Sequence, residues 1–453
     1  MSIRTLVKKF IPRSLFKRIE PLGHLGEAVL LNALNGFPSR GLKVIGVTGT
    51  NGKTTTSFLV HRMLREAGYN VGLMTTVAYG VNDDIKSQIA HTTSVPVPLL
   101  MKRMKQMKAQ GVEWLVLETT SHALAQHRVW GVPYSVAVMT NITHEHLDYH
   151  GTFERYVAAK RMLFTMTNRN RHGLRTGIIN GDDPNASTFA SAIAHPVLYG
   201  TEGAQLLATN VKLTSNGVSY DATHGKQTYH ITCNLPGGFN VYNSLAAVGV
   251  GEALGLTPKQ IEDGIAALDS VEGRMNRIDE GQDFSVIIDY AHTPDSFEKL
   301  LKDIKPVVKG RLLVLFGSAG RRDEEKRAAQ GQIAGTYADE VIVTEEDDRD
   351  MDGEEIMAQI AAGAEAAGKE RMKDLFLVHD RAEAITFAFK RAKRGDTVML
   401  LGKGHEKDIL RPGPRAEELR HLQQDDGNPE RVIVVPWNEA DEARRALKRL
   451  KRK

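Results

Sequence analysis

The sequence predicts an α/β protein built from two successive sheets, in which parallel strands alternate with helices. The first observation is at residues 46–56, where an apolar strand runs into a glycine-rich turn and then into a helix. The second is a regular alternation of apolar runs and helical stretches from residue 41 onward. The third is another alternation of the same kind, which starts near residue 275. Such an order of elements favours mostly parallel sheets with helices on both faces.

The first domain is predicted to span residues 41–272. After the strand that precedes the glycine-rich turn, its buried strands are expected at 70–77, 114–118, 134–140 and 176–180. Its helices are expected near 53–67, 96–109, 153–168, 240–254 and 258–268. Residues 195–234 carry short alternating strands and turn signals, which predict an antiparallel excursion from the parallel sheet.

The second domain is predicted to span residues 273–453 as a Rossmann-like sheet without a dinucleotide fingerprint. Its strands are expected at 284–290, 311–316, 340–344, 375–379, 397–401 and 432–435. Its helices are expected near 295–305, 322–336, 353–367, 381–393 and 438–450. A cleft between two α/β domains is a common reaction site, and we expect the chemistry there.

The composition is that of an ordinary soluble globular protein. Of the 453 residues, 41% are hydrophobic and 25% are charged. The formal charge of +4 is small for this length, and we expect no nucleic-acid partner. The single cysteine, Cys233, excludes an intramolecular disulfide and fits a reducing cytoplasm, which is the predicted location. No stretch approaches the roughly 20 apolar residues of a membrane span.

Residues 1–40 form a separate segment that begins with a basic amphipathic pattern. Its cations are Arg4, Lys8, Lys9, Arg13, Lys17 and Arg18, and large apolar residues lie between them. Two interpretations remain open. The segment is either a surface helix docked on its own domain or a peripheral contact with an anionic membrane.

The glycine-rich turn predicts a site for a nucleoside triphosphate. Its residues are Gly49, Thr50, Asn51, Gly52, Lys53, Thr54 and Thr55. Backbone N–H groups in such a loop, backed by a helix N-terminus, cradle polyphosphate. Lys53 would reach the terminal phosphates, and the Thr54 hydroxyl would ligate Mg²⁺. Val47 stands where the general pattern has its first glycine, so that pattern is not met in full.

Two further strands of the predicted sheet end in polar residues. Glu118 follows the apolar run 114–117, and a carboxylate at that edge, beside a phosphate loop, is a natural Mg²⁺ ligand. The strand 134–140 leads into residues 141–151, which hold three histidines and two acids between His144 and Gly151. A polar surface loop is the alternative interpretation, but its place after a strand of the same sheet favours a functional role.

Nine segments together make the chain resemble the Mur ligases, and among them the MurE branch, which adds the third peptide residue in peptidoglycan assembly. The segments are 49–54 (GTNGKT), 92–93 (TT), 118–128 (ETTSHALAQHR), 141–151, 156–160 (YVAAK), 239–243 (FNVYN), 273–275 (GRM), 289–295 (DYAHTPD) and 402–406 (GKGHE). The resemblance covers residues 41–440, and nine matches in the family's order are not credible as chance.

The resemblance implies an ATP-dependent amide ligase that acts on UDP-N-acetylmuramoyl-L-alanyl-D-glutamate through an acyl phosphate. It implies two Mg²⁺ ions as cofactors and a carbamylated lysine at Lys160. The implied catalytic residues are Lys53, Lys160 and His292. The implied metal ligands are Thr54, Glu118, His146 and Lys160.

The resemblance also implies contacts to the three substrates. Besides the phosphate loop, the ATP contacts would be Asn243, Arg274 and Asp289. The muramyl dipeptide would be held by Thr92, Thr93, Thr120, Gln126 and Arg128. The incoming amino acid would be held by Arg322, Glu346, Asp347, Arg349, Gly402 and Glu406. We expect these small molecules as the partners of a monomer.

Two departures from the family pattern matter. Only about forty residues precede the phosphate loop, where the family carries a domain for the uridine diphosphate, so the usual uracil site is expected to be missing or rebuilt. The amino-acid motif usually written Asp-Asn-Pro-Arg reads Glu346-Asp347-Asp348-Arg349. Arg349 suits the distal carboxylate of meso-diaminopimelate, whereas the three acids suit L-lysine. We predict meso-diaminopimelate.

Three alternative functions remain on the sequence alone. A related ligase that polyglutamylates folate would share the phosphate loop, although the segments 118–128 and 402–406 argue against it. A catalytically silent nucleotide-binding subunit of a cell-wall complex would not need Lys53, Glu118, His146 and Lys160 together. A regulatory phosphate-loop switch would leave the second α/β domain without a role.

Overall fold

The structure is a computed structural model that describes residues 13–88, 95–214, 216–321, 324–420 and 428–451, without the side chains of 13–22 and 147–148. The chain divides into two compact units. The first runs to Lys212 and includes Val218–Asn234 and Asn240–Leu268; the second comprises Leu213–Gly217, Leu235–Phe239 and the chain from Asp269. No helix in the described part of the chain is long and apolar enough to cross a bilayer.

The described residues of the first unit are organised around an eleven-stranded sheet with the order β11-β10-β9-β8-β7-β6-β1-β5-β2-β3-β4. In chain order the strands are β1 (Lys43–Thr48), β2 (Val71–Met74), β3 (Ala78–Val81), β4 (Asp84–Ser87), β5 (Trp114–Glu118), β6 (Tyr134–Met139), β7 (Thr176–Asn180), β8 (His195–Gly200), β9 (Leu206–Thr214), β10 (Gly217–His224) and β11 (Gln227–Cys233). The predicted mostly parallel sheet is confirmed. Each pair of neighbours in the series β9, β8, β7, β6, β1, β5 and β2 is parallel.

Helices precede, connect and follow these strands. They are α1 (Arg13–Leu34), α2 (Lys53–Glu66), α3 (Val97–Ala109), α4 (Ser121–Ala125), α5 (Leu147–His150), α6 (Phe153–Arg169), α7 (Ala186–Ala190), α8 (Phe239–Ala253) and α9 (Pro258–Ala266). The central strand β1 lies between β5 and β6, and all three are buried over most of their length. Because parallel strands end at the same edge, the phosphate loop, Glu118 and residues 140–151 meet there.

Two details of this sheet differ from the sequence prediction. The run 70–77 is not one strand, because β2 turns into the antiparallel strands β3 and β4. The turn between β3 and β4 contains Asn82 in the left-handed region, at φ 50°, which an asparagine tolerates. The antiparallel excursion also begins later than predicted, because β8 pairs in parallel with β7 and β9.

The second unit contains a six-stranded sheet with the order β12-β13-β17-β14-β15-β16 in the described residues. Its strands are β12 (Asn276–Ile278), β13 (Ser285–Asp289), β14 (Leu312–Phe316), β15 (Glu340–Val343), β16 (Leu375–Leu377) and β17 (Thr397–Leu401). The helices are α10 (Pro294–Ile304), α11 (Glu325–Tyr337), α12 (Gly353–Ala366), α13 (Arg381–Arg391), α14 (Ala416–Leu419) and α15 (Glu439–Lys451), with a 3₁₀ turn at Lys305–Val307.

One predicted strand of the second domain lies outside its sheet. The strand β19 (Val432–Pro436) pairs antiparallel with β18 (Asp408–Pro412), and the two form a separate ribbon. A short apolar run fits a buried strand and an exposed ribbon equally well. Ile433 and Val434 are 42% and 54% exposed, so this apolar run forms an exposed ribbon and not a buried strand of the sheet.

A buried ion pair joins α13 to α15 in the second unit. Arg381 and Glu439 are almost fully buried, and an Arg381 Nη donates to a Glu439 carboxylate oxygen at 2.6 Å. Arg381 also donates to the carbonyls of Glu345 and Leu401. The pair therefore fixes the start of α15 against the sheet.

We expect Glu439→Gln to lower the free energy of unfolding by about 3 kcal/mol, because it leaves the Arg381 charge buried without its counter-charge. Urea denaturation followed by circular dichroism measures this loss. Glu418→Gln is the matched control, since Glu418 and its partner Arg415 are 63% and 48% exposed and such a pair contributes at most about 1 kcal/mol. Equal losses in the two variants would contradict the expectation.

Candidate active site

The phosphate loop lies between β1 and α2 and depends on two glycines. Gly49 and Gly52 have φ values of 148° and 83°, a region that side chains disfavour. A Cβ on Gly49 would lie 1.9 Å from the Thr140 hydroxyl, and one on Gly52 would lie 2.3 Å from Asn243 Oδ1. The loop is therefore closely packed against β6 and α8, and only glycine fits at both positions.

The end of β6 fixes the shape of this loop. The Thr140 hydroxyl donates to the Asn51 carbonyl at 2.6 Å, and the Asn141 amide donates to the same carbonyl at 3.1 Å. The Asn51 N–H donates back to Asn141 Oδ1 at 3.0 Å. Sequence reasoning assigned no individual role to Thr140 and Asn141. Their position directly after a strand next to β1 was the available signal.

Asn243 lies behind the same loop rather than in the second unit. It is buried on α8, its Oδ1 accepts a hydrogen bond from the Thr56 hydroxyl at 3.4 Å, and its amide donates to Asn240 Oδ1 at 2.8 Å. Asn243 therefore supports the loop in the geometry of the first unit.

Lys53 is half-buried at the start of α2. Its ammonium group donates to the Thr50 carbonyl at 2.7 Å, across the loop. The positive charge thus lies at the loop itself, beside backbone N–H groups at a helix N-terminus. This combination attracts a polyphosphate.

Thr54 and Glu118 meet at the sheet edge. The Thr54 hydroxyl donates to Glu118 Oε2 at 2.9 Å. Glu118 is 3% exposed and also accepts hydrogen bonds from the Thr76 N–H at 3.0 Å and the Thr76 hydroxyl at 2.9 Å. A hydroxyl and a carboxylate side by side are the oxygen donors that Mg²⁺ prefers, so these residues fit the ion. Thr76 was missed, because its distance of 42 residues from Glu118 gives no local signal.

Lys160 lies under the phosphate loop on α6. It is 2% exposed, and its Nζ donates to the Gly49 carbonyl at 2.6 Å. Burial, and then the positive charge of Lys53, hold the pKa of Lys160 well below its ordinary value. A lysine with a lowered pKa supplies a neutral, nucleophilic amine.

His146 lies in a ring cluster beside the loop. Its backbone is in the left-handed region at φ 56°, and its Nε2 is 3.7 Å from Glu145 Oε2. The His146 and His122 rings pack edge to face, with their centres 4.6 Å apart. The Tyr156 hydroxyl bonds to the Thr50 hydroxyl at 2.9 Å and donates to Glu145 at 3.4 Å. Tyr156 thus links residues 144–150 to the phosphate loop, a role that sequence reasoning missed.

The described contacts do not join all four predicted metal ligands. Thr54 and Glu118 are in direct contact, whereas Lys160 bonds to the loop and His146 neighbours Glu145. Thr54 and Glu118 are therefore the two predicted metal ligands that a described hydrogen bond joins directly.

Three residues predicted for the muramyl dipeptide, Thr120, Gln126 and Arg128, follow Glu118 at the end of β5. The Thr120 hydroxyl caps α4 by accepting a hydrogen bond from the Ala123 N–H at 3.2 Å. Gln126 is half-buried just after α4, and Arg128 lines a narrow cavity together with Glu118 and the buried Arg103. Arg103, which sequence reasoning missed, lies with its guanidinium 3.5 Å from the centre of the Tyr79 ring. Thr92 and Thr93 lie outside the described residues.

In the second unit, Asp289 ends β13 and holds the loop that follows it. Its carboxylate accepts hydrogen bonds from the N–H groups of Met275 and Ala291, both at 2.8 Å. Burial raises the pKa of Asp289. The Arg274 guanidinium lies 4.7 Å from the centre of the Tyr290 ring, and His292 Nδ1 is 2.9 Å from the Tyr290 carbonyl. Arg274, Asp289 and His292 are therefore neighbours, as expected from their motifs.

Lys403 is the fully buried centre of the predicted amino-acid site. Its ammonium donates to Asp347 Oδ1 at 2.9 Å and to Glu406 Oε2 at 2.6 Å. The Tyr290 hydroxyl donates to the other Glu406 oxygen at 3.3 Å. Lys403 was not singled out from the sequence, although it stands inside the segment 402–406. Its single positive charge is shared by two acids that the sequence left unpaired.

The remaining acids of this region are also compensated. His379 Nε2 lies 2.7 Å from Asp348, and Arg411 Nε donates to Glu345 at 2.7 Å. Glu346 is buried beside Gly402, and burial raises its pKa to about 7, against the opposing charges of Lys326 and Lys403. The run of acids is consequently less negative than its sequence suggests.

Arg349 lies at the end of this run in an unusual backbone conformation. Its φ is 59°, its N–H donates to the Leu410 carbonyl at 2.9 Å, and its Nε is buried without a hydrogen-bond partner among the described residues. A buried donor without a partner among the described residues is a group whose hydrogen bond a ligand could satisfy. Arg322 lies outside the described residues.

Comparison with known families gives two matches. The model of the Mur ligase middle domain matches residues 47–251, and that of the Mur ligase glutamate ligase domain matches residues 273–404. A UDP-N-acetylmuramyl-tripeptide synthetase of Roseiflexus sp. is 38% identical over 95% of this chain and 83% of the relative. A UDP-N-acetylmuramoyl-L-alanyl-D-glutamate–2,6-diaminopimelate ligase of Geobacillus kaustophilus is 40% identical over 84% of this chain and 77% of the relative.

Solved structures agree with these relatives. The structure of a UDP-N-acetylmuramoyl-L-alanyl-D-glutamate–2,6-diaminopimelate ligase matches with a TM-score of 0.64 and 27% identity, over 96% of this chain and 83% of that chain. A folylpolyglutamate synthase of Mycobacterium tuberculosis matches with a TM-score of 0.67 over 83% of this chain and 91% of that chain. At 17% identity, the second likeness reflects the fold alone.

Proposed function

The chain belongs to the Mur ligases, and we propose that it joins meso-diaminopimelate to UDP-N-acetylmuramoyl-L-alanyl-D-glutamate in an ATP-dependent reaction of peptidoglycan synthesis. The observation that carries the proposal is the phosphate loop, which contacts Lys160 on one side and leads through Thr54 to Glu118 on the other. The acceptor and the amino acid follow from the relatives, whose names state this reaction.

The reaction proceeds in two steps. The γ-phosphoryl group of ATP passes to one of the two carboxylates of the D-glutamyl residue, which gives an acyl phosphate and ADP. The amine of the amino acid then attacks the acyl carbon, loses a proton and expels phosphate. Lys53 and the loop N–H groups stabilise the charge on the transferring phosphoryl group, as positioning and electrostatics do in other phosphoryl transfers.

Mg²⁺ is required by the family, and it neutralises phosphate charge when bound. Thr54 and Glu118 would hold one ion through their oxygens. For a second ion we propose His146 and Lys160, the latter as a carbamate. The carbamate forms when the neutral Lys160 amine adds CO₂ and loses a proton, which gives an anionic oxygen ligand. The lowered pKa of Lys160 supports this step.

The nucleotide and the dipeptide would contact separate groups of residues. We propose Arg274, Asp289 and His292 as nucleotide contacts, with Asn243 supporting the phosphate loop. For the muramyl dipeptide we propose Thr92, Thr93, Thr120, Gln126 and Arg128. Arg128 and the buried Arg103 line the cavity beside Glu118, which supports an anionic ligand there.

The third residue is proposed to be meso-diaminopimelate, because the acids near Arg349 have partners within the second unit or a raised pKa. Asp347 is paired with Lys403 and Asp348 with His379, and the raised pKa of Glu346 leaves it partly protonated near pH 7. The distal carboxylate of diaminopimelate would therefore meet Arg349 without strong repulsion. L-Lysine lacks that carboxylate and would leave the Arg349 Nε unpaired.

Arg349→Ala is expected to lower kcat/KM for meso-diaminopimelate by about 10-fold to 100-fold, the scale of a lost charge-assisted hydrogen bond. Turnover with L-lysine should change much less, because L-lysine has no group for Arg349. Steady-state kinetics with both amino acids measure the difference. Arg371→Ala, at an exposed arginine paired with Glu365, is the control and should change neither value. Equal losses for the two amino acids would contradict the assignment.

A product assay tests the proposed function itself. Purified full-length protein is incubated with ATP, Mg²⁺, UDP-muramyl dipeptide and either meso-diaminopimelate or L-lysine, and the tripeptide product is identified by mass spectrometry. A parallel reaction contains folate and glutamate. Tripeptide formation with diaminopimelate supports the proposal, whereas glutamylated folate as the sole product would refute it.

We also propose a monomer made of the segment 1–40 and the domains 41–272 and 273–453, located in the cytoplasm, where ATP and the UDP-linked acceptor are available. The division of the chain near Leu268 and the family matches 47–251 and 273–404 support these domain limits. Light scattering of the purified protein tests the oligomeric state.

A further inference from the structure

One face of α1 packs against the first unit. From Gly23 onward, the buried residues of α1 are His24, Ala28 and Asn32, which recur every four residues. The Asn32 amide donates to the Trp130 carbonyl at 3.2 Å, and Ala28 and Leu31 join the hydrophobic core. This part of the helix is therefore docked on the domain.

The opposite face of the same helix is exposed and entirely non-polar. Its residues are Gly23, Gly26, Val29, Leu30, Ala33 and Leu34. Leu30 is 58% exposed and Leu34 is 73% exposed. Nine large hydrophobic side chains are exposed in the described part of the chain, and three of them are in this short stretch. A docked surface helix normally places polar residues on such a face.

The sequence before Gly23 continues the pattern and adds charge. Ile19, Phe16 and Leu15 stand at the helical spacing that leads into the exposed face. Residues 1–19 contain six lysines and arginines and no acid, since Glu20 is the first acidic residue of the chain. Side chains before Gly23 lie outside the described residues, so this step uses the sequence alone.

We propose that the exposed face of α1 binds the surface of an anionic membrane. An interfacial helix buries an apolar face at the level of the lipid headgroups, while basic residues attract anionic lipids. The same cations argue against a second copy of the chain as the occupant, because two such segments would repel each other. This interaction is independent of the ligase chemistry and of whether the proposed function is correct.

Co-sedimentation with lipid vesicles tests the proposal on the full-length protein. We expect binding to vesicles that contain phosphatidylglycerol, little binding to vesicles of phosphatidylcholine alone, and weaker binding at high salt. The double variant Leu30→Gln, Leu34→Gln should reduce the bound fraction by about 5-fold or more, because it removes the two most exposed apolar side chains of this face. Met372→Gln is the matched control, since Met372 is 85% exposed elsewhere in the chain.

Three outcomes would overturn the proposal. The first is equal binding to both kinds of vesicle, and the second is unchanged binding of the double variant. The third is a wild-type dimer in light scattering that the double variant converts to a monomer, without vesicle binding by either protein. Thermal unfolding by circular dichroism shows that the variants are folded, so a loss of binding cannot arise from misfolding.

Discussion

Lys53→Ala is expected to abolish tripeptide formation while leaving the protein folded. The Lys53 ammonium is the charge that the chain places at the phosphate loop, and its removal leaves the γ-phosphoryl transfer without that cation. The variant loses one hydrogen bond of a half-buried side chain, to the Thr50 carbonyl, which contributes about 1 kcal/mol to stability. Activity should therefore fall far more than the free energy of unfolding.

Two measurements separate these effects. Product formation is followed at saturating substrates, and unfolding is followed by circular dichroism. Lys105→Ala removes an exposed lysine of α3 and should leave both values unchanged. Ligation by Lys53→Ala above about a tenth of the wild-type rate would correspond to a barrier change of less than about 1.4 kcal/mol, which is too small for this role.

The sequence predicted those features whose residues are close together in the chain. The strand, the glycine-rich turn and the helix around residues 49–55 were predicted correctly, because they are contiguous in the sequence. Glu118 was found because a carboxylate at a strand end is a local pattern. Thr76 and Tyr156 were missed, because their contacts with Glu118 and Thr50 depend on the strand order and on the helix packing.

The amino-acid region shows the same limit more clearly. The motif 346–349 is visible in the sequence, but its electrostatics are not. Lys403, which pairs with Asp347, is 56 residues away, and His379 is 31 residues from Asp348. The partners of these acids are distant in the sequence and become neighbours only in the folded chain, so they could not be identified from the sequence. Similarly, the exposed position of β19 could not be read from an apolar run of five residues.

Lys160→Ala is expected to leave almost no ligase activity, because it removes the amine that we propose to carry the carbamate. The 2.6 Å bond from Nζ to the Gly49 carbonyl places this amine beneath the phosphate loop, and burial favours its neutral form. Lys160→Arg is the informative partner variant. It keeps a hydrogen-bond donor to the loop, but it carries a fixed positive charge and cannot be carbamylated at neutral pH, since arginine stays protonated.

The two interpretations of Lys160 predict different results. If Lys160 acts only as a buried donor to the loop, Lys160→Arg should retain much of the activity. If it acts as a carbamate, both variants should be inactive, and added formate or acetate should partly restore Lys160→Ala by supplying an anion. The wild type with ¹³C-bicarbonate should give a carbamate signal by NMR that is absent in both variants.

The ligase activity is expected to depend on pH through the lowered pKa of Lys160. The amine must be neutral to add CO₂, so the carbamate and the activity should both decline as the pH falls through the pKa of Lys160. A lowered pKa extends the active range toward lower pH than an exposed lysine would permit. Full activity of Lys160→Ala, or a wild-type protein that shows no carbamate signal while active, would refute the role. Because Arg161 neighbours Lys160 on α6 but donates to the Thr188 carbonyl, Arg161→Ala should retain the carbamate signal.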